Sequence, residues 1–575
     1  MAPRLRRRNT DIAPGLTQAP LSPLLKKLYS ARGITQAGEL DLSLAGLAKP
    51  QELLGCDAAA ILLADAIEGD ASVVIVADFD ADGATSAALG VSLLRQMGLR
   101  DVHYLVPNRF EFGYGLSPEI VALAAERAPD LLVTVDNGIS SHDGVLLARH
   151  LGMSVLITDH HLPGATLPEA DVIVNPNQPG CRFPSKSLAG VGVMFYVMTA
   201  LRAELRSRGW FEQNGLEAPN LADALDLVAL GTVADVVPLD RNNRILVAGG
   251  LARIRAGRSR PGIDALFEVA GRDASRLTST DLGFVLGPRL NAAGRLDDMS
   301  TGIECLLADS TAAARPLAQQ LDQLNRERRD IEAGMQAEAL AKLESTAIDE
   351  RDMPLGLSIY DASFHQGVVG IVAARLRERY HRPVIVFADG DDGVKGSARS
   401  IDGVHIRDVL DRVASMEPGL ITKFGGHAMA AGLSLAKADL SRFQLAFDRA
   451  VREALGGVEP SPEWQTDGAL ASSELTLQSA VDIASAGPWG QHFPEPSFDG
   501  EFVVLEQRLV GEKHLKLRLQ TELGPVDAIA FNIDLECWPD NAVTRIGAVY
   551  RIEVNSFRGE DRLQLMLQTL WPLVD

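Results

Sequence analysis

The sequence has few cysteines and no long apolar run. Its four cysteines are far apart, with none of the spacings of metal-binding pairs, which predicts isolated, reduced thiols. They are Cys56, Cys181, Cys305 and Cys537. No run approaches the roughly 20 apolar residues that a transmembrane helix needs, and the arginine-rich start is not followed by the apolar core of a secretory signal. We therefore expect a cytoplasmic protein without a membrane anchor.

Signatures of several enzyme classes are also missing. The sequence contains no phosphate-loop lysine motif of nucleotide-driven motors, no Gly-x-Ser-x-Gly of serine hydrolases and no His-Glu-x-x-His of zinc proteases. The formal net charge of −21, from 55 basic and 76 acidic residues, argues against a protein that coats nucleic acid non-specifically. A local basic channel is still possible, since arginines cluster at 253–260 and 326–329, although charged helix faces have the same appearance.

One stretch that is present combines an apolar run with three carboxylates. The run Val73 to Ala77 is continuous and rich in valine, as expected of a strand buried on both faces of a parallel sheet. Asp78, Asp80 and Asp82 follow it, Gly83 breaks the pattern, and residues 84–97 are predicted to form a helix. Carboxylates this close repel one another unless a cation lies among them. The alternative is an acidic turn with solvated side chains.

Further strands and helices alternate after this one. Strands are predicted at residues 102–106, 131–135, 154–158 and 171–174, with helices between them at 117–127 and 142–151. This alternation is typical of an α/β fold with a doubly wound, mostly parallel sheet. Open sheets of this kind bind ligands at the carboxyl ends of their strands.

Two more of these strands end in polar side chains. Asp136 follows one, and Asp159, His160 and His161 follow the next. A single aspartate after a strand usually caps a helix and a histidine pair is more often structural, but three strands ending this way favour a shared site. Asp235 adds a carboxylate in an otherwise apolar stretch, where burial is costly without a partner.

The predicted ligands are mainly carboxylate oxygens with one or two imidazoles. Such a set suits Mn²⁺ or Mg²⁺ better than zinc. Two ions about 4 Å apart can activate a water and stabilise both oxygens of an in-line phosphoryl displacement. The hypothesis is a metal-dependent phosphoesterase that needs no protein nucleophile.

Four motifs resemble, in order, the signature motifs of the DHH phosphoesterase superfamily. They are Asp78-Phe-Asp-Ala-Asp82, Asp136-Asn-Gly138, Asp159-His-His161 and Asp235. Four other segments resemble its branch of bacterial single-strand-specific DNA exonucleases: residues 107–115, 188–192, 288–295 and 425–432. The resemblance implies a monomeric hydrolase of DNA repair and recombination that degrades single-stranded DNA from the 5′ end to mononucleotides. It also implies a single-strand-binding protein and a DNA helicase as partners.

The resemblance implies specific roles for the motif residues. The ligands of the two ions would be Asp78, Asp80, Asp82, Asp136, His160 and Asp235. Asp136 and Asp235 would bridge the ions, His161 would contact the scissile phosphate, and Asp159 would orient the histidines. Many relatives have a histidine before the Asp-x-Asp pair, where this chain has Asp78.

Substrate-binding residues are expected in several parts of the chain. Arg109, in an aromatic and glycine-bearing segment, could bind a phosphate or belong to a loop packed by its aromatics. The basic strand 514–518 could follow a DNA backbone, or its barrel could only brace the other domains. The full expected set is Arg109, His161, Arg289, Asn291, Arg295, Ser397, Arg399, His427, Lys513, Lys516 and Arg518.

Five segments are predicted. They are an N-terminal extension (1–45), a DHH catalytic domain (46–312), a long connecting helix (313–348), a smaller α/β domain of the DHH-associated type (349–458) and a β-barrel of the oligonucleotide-binding type (459–575). Two other functions stay open: a phosphodiesterase for very short oligonucleotides or cyclic dinucleotides, and a catalytically silent scaffold. The helix and barrel argue against the first, and the complete ligand set argues against the second.

Overall fold

The computed structural model describes most of the chain. The described residues are 3–107, 115–345, 353–390, 393–460, 462–511, 513–533, 535, 538–540, 542–557 and 559–573. They fall into two units, each described here by itself. The first unit comprises residues 1–322 and 464–575, and the second comprises 323–463. The predicted boundaries of the five segments stay predictions.

The first unit contains a five-stranded sheet that confirms the predicted α/β fold. A short strand and two helices precede it: β1 (Arg4–Arg7), α1 (Pro23–Ser30) and α2 (Cys56–Glu68). The sheet strands are β2 (Val73–Ala77), β3 (Val102–Leu105), β4 (Leu131–Val135), β5 (Ser154–Thr158) and β6 (Val172–Val174). All neighbours are parallel, in the order β3-β2-β4-β5-β6. Strands β2 and β4 are buried along their whole length, as their apolar sequences predict.

Helices connect and follow these strands. Those between the strands are α3 (Ala81–Gln96), α4 (Pro118–Ala125) and α5 (His142–His150). Those after the sheet are α6 (Gly190–Ser207), α7 (Trp210–Gln213), α8 (Leu225–Ala234), α9 (Arg241–Arg255), α10 (Pro261–Val269), α11 (Ser279–Asp281), α12 (Gly287–Leu296), α13 (Ser300–Leu307) and α14 (Thr311–Ser345). A π-helical turn at Leu282–Leu286 separates α11 from α12. Short 3₁₀ turns lie at 37–40, 44–46, 50–52, 221–224 and 274–276.

Two helix starts differ from the predictions. Helix α3 begins at Ala81 rather than Ala84, because Asp80 caps it by accepting bonds from the amides of Asp82 and Gly83. Gly83 therefore lies inside the helix and does not end the preceding pattern. The long helix α14 begins at Thr311, two residues before the predicted boundary at 313, and Pro316 lies inside it.

The second unit contains a mixed five-stranded sheet. Its elements are β7 (Leu357–Tyr360), α15 (Val369–Tyr380), β8 (Val384–Gly390), β9 (Gly393–Arg399), α16 (Ile406–Met416), β10 (Lys423–Gly426), β11 (Ala430–Leu435) and α17 (Leu440–Ala454). The strand order is β10-β11-β9-β8-β7, with only β7 and β8 parallel. The Gly-rich stretch after residue 392 is strand β9, which pairs antiparallel with the preceding strand β8, from Gly390 opposite Gly393 onward.

A closed β-barrel follows in the first unit. Strand β12 (Glu463–Thr466) and helix α18 (Leu477–Ser485) precede its strands β13 (Phe498–Val510), β14 (His514–Thr521), β15 (Gly524–Ala530), β16 (Arg545–Phe557) and β17 (Glu560–Pro572). The order around the barrel is β13-β14-β15-β17-β16. The predicted barrel is confirmed, and β17 closes it by pairing with both β15 and β16.

The N-terminal residues are joined to the segment before the barrel. Strands β1 and β12 form a two-stranded sheet, and the amide of Arg8 donates to the carbonyl of Thr466 (2.8 Å). Arg32 donates to both carboxylate oxygens of the buried Asp467 (3.0 and 2.9 Å). The predicted N-terminal extension is therefore packed in the first unit.

Three described cysteines are free thiols, which confirms the prediction for them. Cys56 and Cys305 are buried, and burial raises the pKa of each thiol to about 12. Cys181 is partly exposed, and Cys537 lies outside the described residues. Within the part of the chain that the structure describes, the helices are too short or too polar to cross a membrane.

Candidate metal centre

The carboxyl ends of three neighbouring strands carry the predicted ligands. Strand β2 lies between β3 and β4, and β4 pairs with β5, so that their ends are side by side. Asp78, Asp136 and Asp159 each directly follow one of these strands. The sheet order therefore gathers residues that are up to about 80 positions apart in the sequence.

The first motif is held by backbone amides. Asp80 caps α3, and Asp82 lies in the first turn of that helix. The carboxylate of Asp82 accepts bonds from the amides of Gly190 (2.6 Å) and Val191 (2.9 Å), at the start of α6. Because the N-terminus of a helix favours negative charge, α6 stabilises this carboxylate in its buried position.

The second motif adopts a left-handed backbone. Asp136 has a φ of +63° and is buried, a conformation that costs energy for most residues other than glycine. The side-chain amide of Asn137 donates to the carbonyls of Val76 (3.1 Å) and Val135 (2.9 Å) on two neighbouring strands. These bonds fix the turn that directs Asp136 into the site.

The third motif is organised by Asp159. Its carboxylate accepts bonds from the amides of Ile139 (2.9 Å), His160 (2.7 Å) and His161 (3.0 Å), and one oxygen lies 2.8 Å from Nδ1 of His161. Burial alone would raise the pKa of Asp159, but the hydrogen bonds from His161 and the amides hold it below its usual value. Asp159 is therefore a fixed anion that orients the histidine loop.

The six predicted metal ligands lie together. Nε2 of His160 is 3.1 Å from Oδ1 of Asp136 and 3.5 Å from Oδ2 of Asp235. Three overlapping sets of side chains each offer ligand atoms within 4.8 Å of one another. The sets are Asp136 with His160 and His161, Asp82 with His160 and Asp235, and Asp78 with Asp80 and Asp136. Asp136 and His160 each belong to two sets.

The charges of this cluster fit divalent cations. Burial raises the pKa of Asp136 and Asp235 well above the usual range, and the neighbouring carboxylates raise both further. Burial and Asp80 raise the pKa of Asp82 to about 7. Buried carboxylates that repel one another are relieved by a cation among them. Because oxygen ligands predominate, Mn²⁺ and Mg²⁺ suit the set.

Three glycines permit the close packing of helices around the acids. A Cβ on Gly190 would lie 2.6 Å from Cβ of Asp136, and one on Gly231 would lie 2.9 Å from Oδ1 of Asp82. A Cβ on Gly294 would lie 1.8 Å from the carbonyl oxygen of Phe79. None of these three contacts was predicted from the sequence. Gly231 carried a signal in the sequence, because an isolated glycine within an apolar helical stretch often marks a close packing contact.

The residues expected to bind substrate near the metal cluster have different environments. Arg109 lies outside the described residues. Arg289 is buried, with Nη2 2.8 Å from Asp322 of α14, and it donates to the carbonyl of Val285 (2.6 Å). The side-chain oxygen of Asn291 accepts a bond from the amide of Ala81 (2.8 Å). These contacts favour bracing roles for Arg289 and Asn291, whereas Arg295 is partly exposed at the end of α12.

Ser397 and Arg399 lie on one face of β9 in the second unit. Arg399 donates to Oγ of Ser397 (3.0 Å) and to the carbonyl of Ala398 (2.8 Å). A Cβ on Gly370 would lie 2.8 Å from Nη2 of Arg399, so this glycine gives the guanidinium its space. Burial lowers the pKa of Arg399. His427 is exposed in the turn between β10 and β11.

The expected basic strand of the barrel has acidic neighbours. Nζ of Lys516 is 3.1 Å from Asp527. Arg518 pairs across the sheet with Glu506 and Asp527. Lys513 is exposed before β14. These carboxylates offset part of the positive charge that the sequence of the strand alone indicates.

The chain matches three known domain families and has close full-length relatives. Residues 72–232 match the DHH family, N-terminal domain, residues 354–453 the DHHA1 domain, and residues 466–569 the RecJ OB domain. The single-stranded-DNA-specific exonuclease RecJ of Dickeya dadantii is 56% identical over 99% of both chains.

Two crystal structures of RecJ from Thermus thermophilus are similar across this whole chain. The complex with Mn²⁺ has a TM-score of 0.81 at 30% identity and is covered over 80% of its length, and the complex with Mg²⁺ has a TM-score of 0.75 at 28% identity and is covered over 79%. Full-length identity above one half, together with all three domain matches, establishes the family. The chain belongs to the RecJ family of single-stranded-DNA-specific exonucleases.

Proposed function

We infer that this chain is a metal-dependent 5′-to-3′ exonuclease that hydrolyses single-stranded DNA to 5′-mononucleotides in DNA repair and recombination. The observation that carries this function is the convergence of five carboxylates and His160 at the ends of β2, β4 and β5 and at the end of α8. The residues proposed to hold two Mn²⁺ or Mg²⁺ ions are Asp78, Asp80, Asp82, Asp136, His160 and Asp235. When bound, the ions would supply Lewis-acid activation of water and neutralise charge on the phosphate.

The protein's own residues orient the reacting groups in this proposal. Asp136 and Asp235 each place a carboxylate oxygen within 3.5 Å of Nε2 of His160, at the centre of the cluster, which suits them to the bridging role. Asp159 holds Nδ1 of His161 and so directs the opposite nitrogen, Nε2, away from itself. His161, about one third exposed, would contact the scissile phosphate through Nε2. Asp159 is then a positioning residue, because it acts through the histidines.

The proposal has further parts that concern the cell. We propose that the protein acts as a monomer in the cytoplasm, on DNA ends exposed by a helicase and covered by a single-strand-binding protein. The single-strand requirement predicts that blunt duplex DNA resists digestion and that a 5′ single-stranded overhang restores it. Mass measured in solution by light scattering tests the monomer.

Asp136→Asn tests the metal centre by two readouts. Purified wild type and variant are incubated with 5′-labelled single-stranded DNA, a dinucleotide and a cyclic dinucleotide, with and without Mn²⁺. We expect metal-dependent release of mononucleotides from the strand by the wild type. We expect a loss of at least 100-fold in the variant, because the amide lacks the negative charge and one of the two oxygens with which the carboxylate would hold the ions. Saturating Mn²⁺ should stabilise the wild type, by about 2.7 kcal/mol at 100 times Kd, and the variant much less.

The controls separate this function from its alternatives. Without metal the variant should melt at the same temperature as the wild type or higher, since a repelling carboxylate has been neutralised. Near-normal turnover by a folded variant would contradict the metal centre. Activity on the cyclic dinucleotide alone would favour the small-substrate phosphodiesterase, and no hydrolysis of any substrate would favour the scaffold.

A further inference from the structure

An apolar groove lies beside the metal cluster, within the first unit. It has a volume of about 380 Å³ and is lined by the end of α8, the π-helical turn and the segment after α18. Val236, which follows the ligand Asp235 directly, lines it together with Phe284 and Trp489. The groove therefore begins at the residue next to a candidate metal ligand.

Two exposed residues of this groove are large and hydrophobic. Phe284 is 74% exposed and Val236 is 62% exposed. Exposed apolar side chains that are grouped in one concavity, and not scattered singly, indicate a binding surface. Since Val236 directly follows the candidate ligand Asp235, the groove adjoins the proposed cleavage centre, and a part of the same substrate can reach it.

The backbone at both residues is unusual. Val236 has a φ of +60°, which is a rare conformation for a β-branched residue. Phe284 is carried by a π-helical turn in which the amide of Gly287 donates to the carbonyl of Leu282. Such strain and such turns occur preferentially at functional sites. At both positions an unusual backbone conformation carries an exposed apolar side chain.

The charges of the groove favour a base over a phosphate. Among the described residues that line it, the charged side chains are Glu495 and Arg551, and they contact each other. Burial raises the pKa of Glu495, and Arg551 lowers it in part. An arginine that is paired with a carboxylate offers little to a phosphate, whereas a phenylalanine ring and aliphatic side chains offer a stacking surface.

We propose that this groove binds a nucleobase of the single-stranded DNA substrate, with Phe284 as the stacking surface and Val236 as an aliphatic contact. This inference rests on the proposed function. It assigns the groove a positioning role: the base is held next to Asp235, so that the strand keeps its register on the metal centre between successive cleavages. A base contact of this kind also distinguishes a nucleic-acid strand from other phosphodiesters.

The test compares strands with and without bases. KM and kcat are measured with Mn²⁺ for an oligothymidine strand and for a strand of equal length with abasic residues. Phe284→Ala should lower kcat/KM on the thymidine strand by about 5- to 150-fold, the range that base-to-aromatic stacking supports. On the abasic strand the variant and the wild type should agree within about twofold. Phe284→Trp should restore the thymidine activity.

Two further variants keep the test decisive. Leu146→Ala removes another exposed hydrophobic residue, which lies on α5 and does not line the groove, and it should change neither substrate. Val236→Ala should show the same dependence on bases as Phe284→Ala, and it replaces that variant if Phe284→Ala does not fold. Equal losses on both strands, or no loss on either, would overturn the base contact. A wild type that hydrolyses neither strand would instead overturn the proposed function.

Discussion

Single residues at this site have either a chemical or a bracing role, and the contacts distinguish the two. Asp159 has a bracing role, because its carboxylate oxygens already contact three backbone amides and Nδ1 of His161. Arg289 was expected to bind substrate, but its contacts are those of a bracing residue. Its sequence context indicates a phosphate ligand, but the structure shows it buried against Asp322. Burial cannot be inferred from a short motif, because the partner is contributed by a different helix.

Arg289→Ala is therefore expected to lower stability. Removing one member of a buried ion pair leaves an uncompensated charge, which costs about 3–5 kcal/mol. Thermal unfolding should show a clear drop in melting temperature, and Asp322→Ala should show a similar drop. The double variant should lose less than the sum of the two. An unchanged melting temperature with a raised KM for DNA would instead show that Arg289 binds the substrate.

At the scale of elements, the site depends on how closely helices approach the strand ends. The apolar run of β2 followed by aspartates was sufficient to predict the strand, its burial and the acidic side chains at its carboxyl end. The start of α3 was not predictable in the same way, because Asp80 is both a candidate ligand and the cap of that helix. The close contacts of Gly190, Gly231 and Gly294 were also beyond sequence reasoning, since each depends on a neighbour distant in the chain.

Gly294→Ala should disturb the metal centre by displacing a helix or a loop, although Gly294 is not itself a candidate ligand. The new Cβ would lie 1.8 Å from a backbone oxygen of the loop that carries Asp80, so α12 or the loop has to shift. Overpacking costs about 1–3 kcal/mol, and we expect weaker Mn²⁺ stabilisation together with slower cleavage. Gly334→Ala, on α14, has nothing within 4 Å and is the matched control, neutral or slightly stabilising. Equal behaviour of the two variants would contradict this account.

For the whole molecule, the contribution of the barrel can be tested without cutting the chain. Truncation near Pro460 would remove β12 and Asp467, which contact β1 and Arg32, so the remaining domains would lose packing. Substitution of the expected basic residues avoids this loss.

A triple variant, with Lys513, Lys516 and Arg518 replaced by Gln, addresses the expected DNA path. Each lost phosphate contact should reduce the slope of log affinity against log salt by about 0.7 on a single strand. Because Lys516 contacts Asp527, we expect a reduction smaller than that of three full contacts. Binding titrations from low to moderate salt, with melting temperature as the control for folding, measure this change. An unchanged slope in the folded variant would assign the barrel a bracing role.

The pairing of β1 with β12 has a consequence for synthesis on the ribosome. The first unit is interrupted by residues 323–463, so β1 emerges about 460 residues before its partner strand. At about 5–20 residues per second, the delay is roughly 20–90 s. During this time the arginine-rich segment Arg4–Arg7 has no strand to pair with, while the helices and sheet behind it can already fold. The final assembly of the first unit is thus timed by translation of the second.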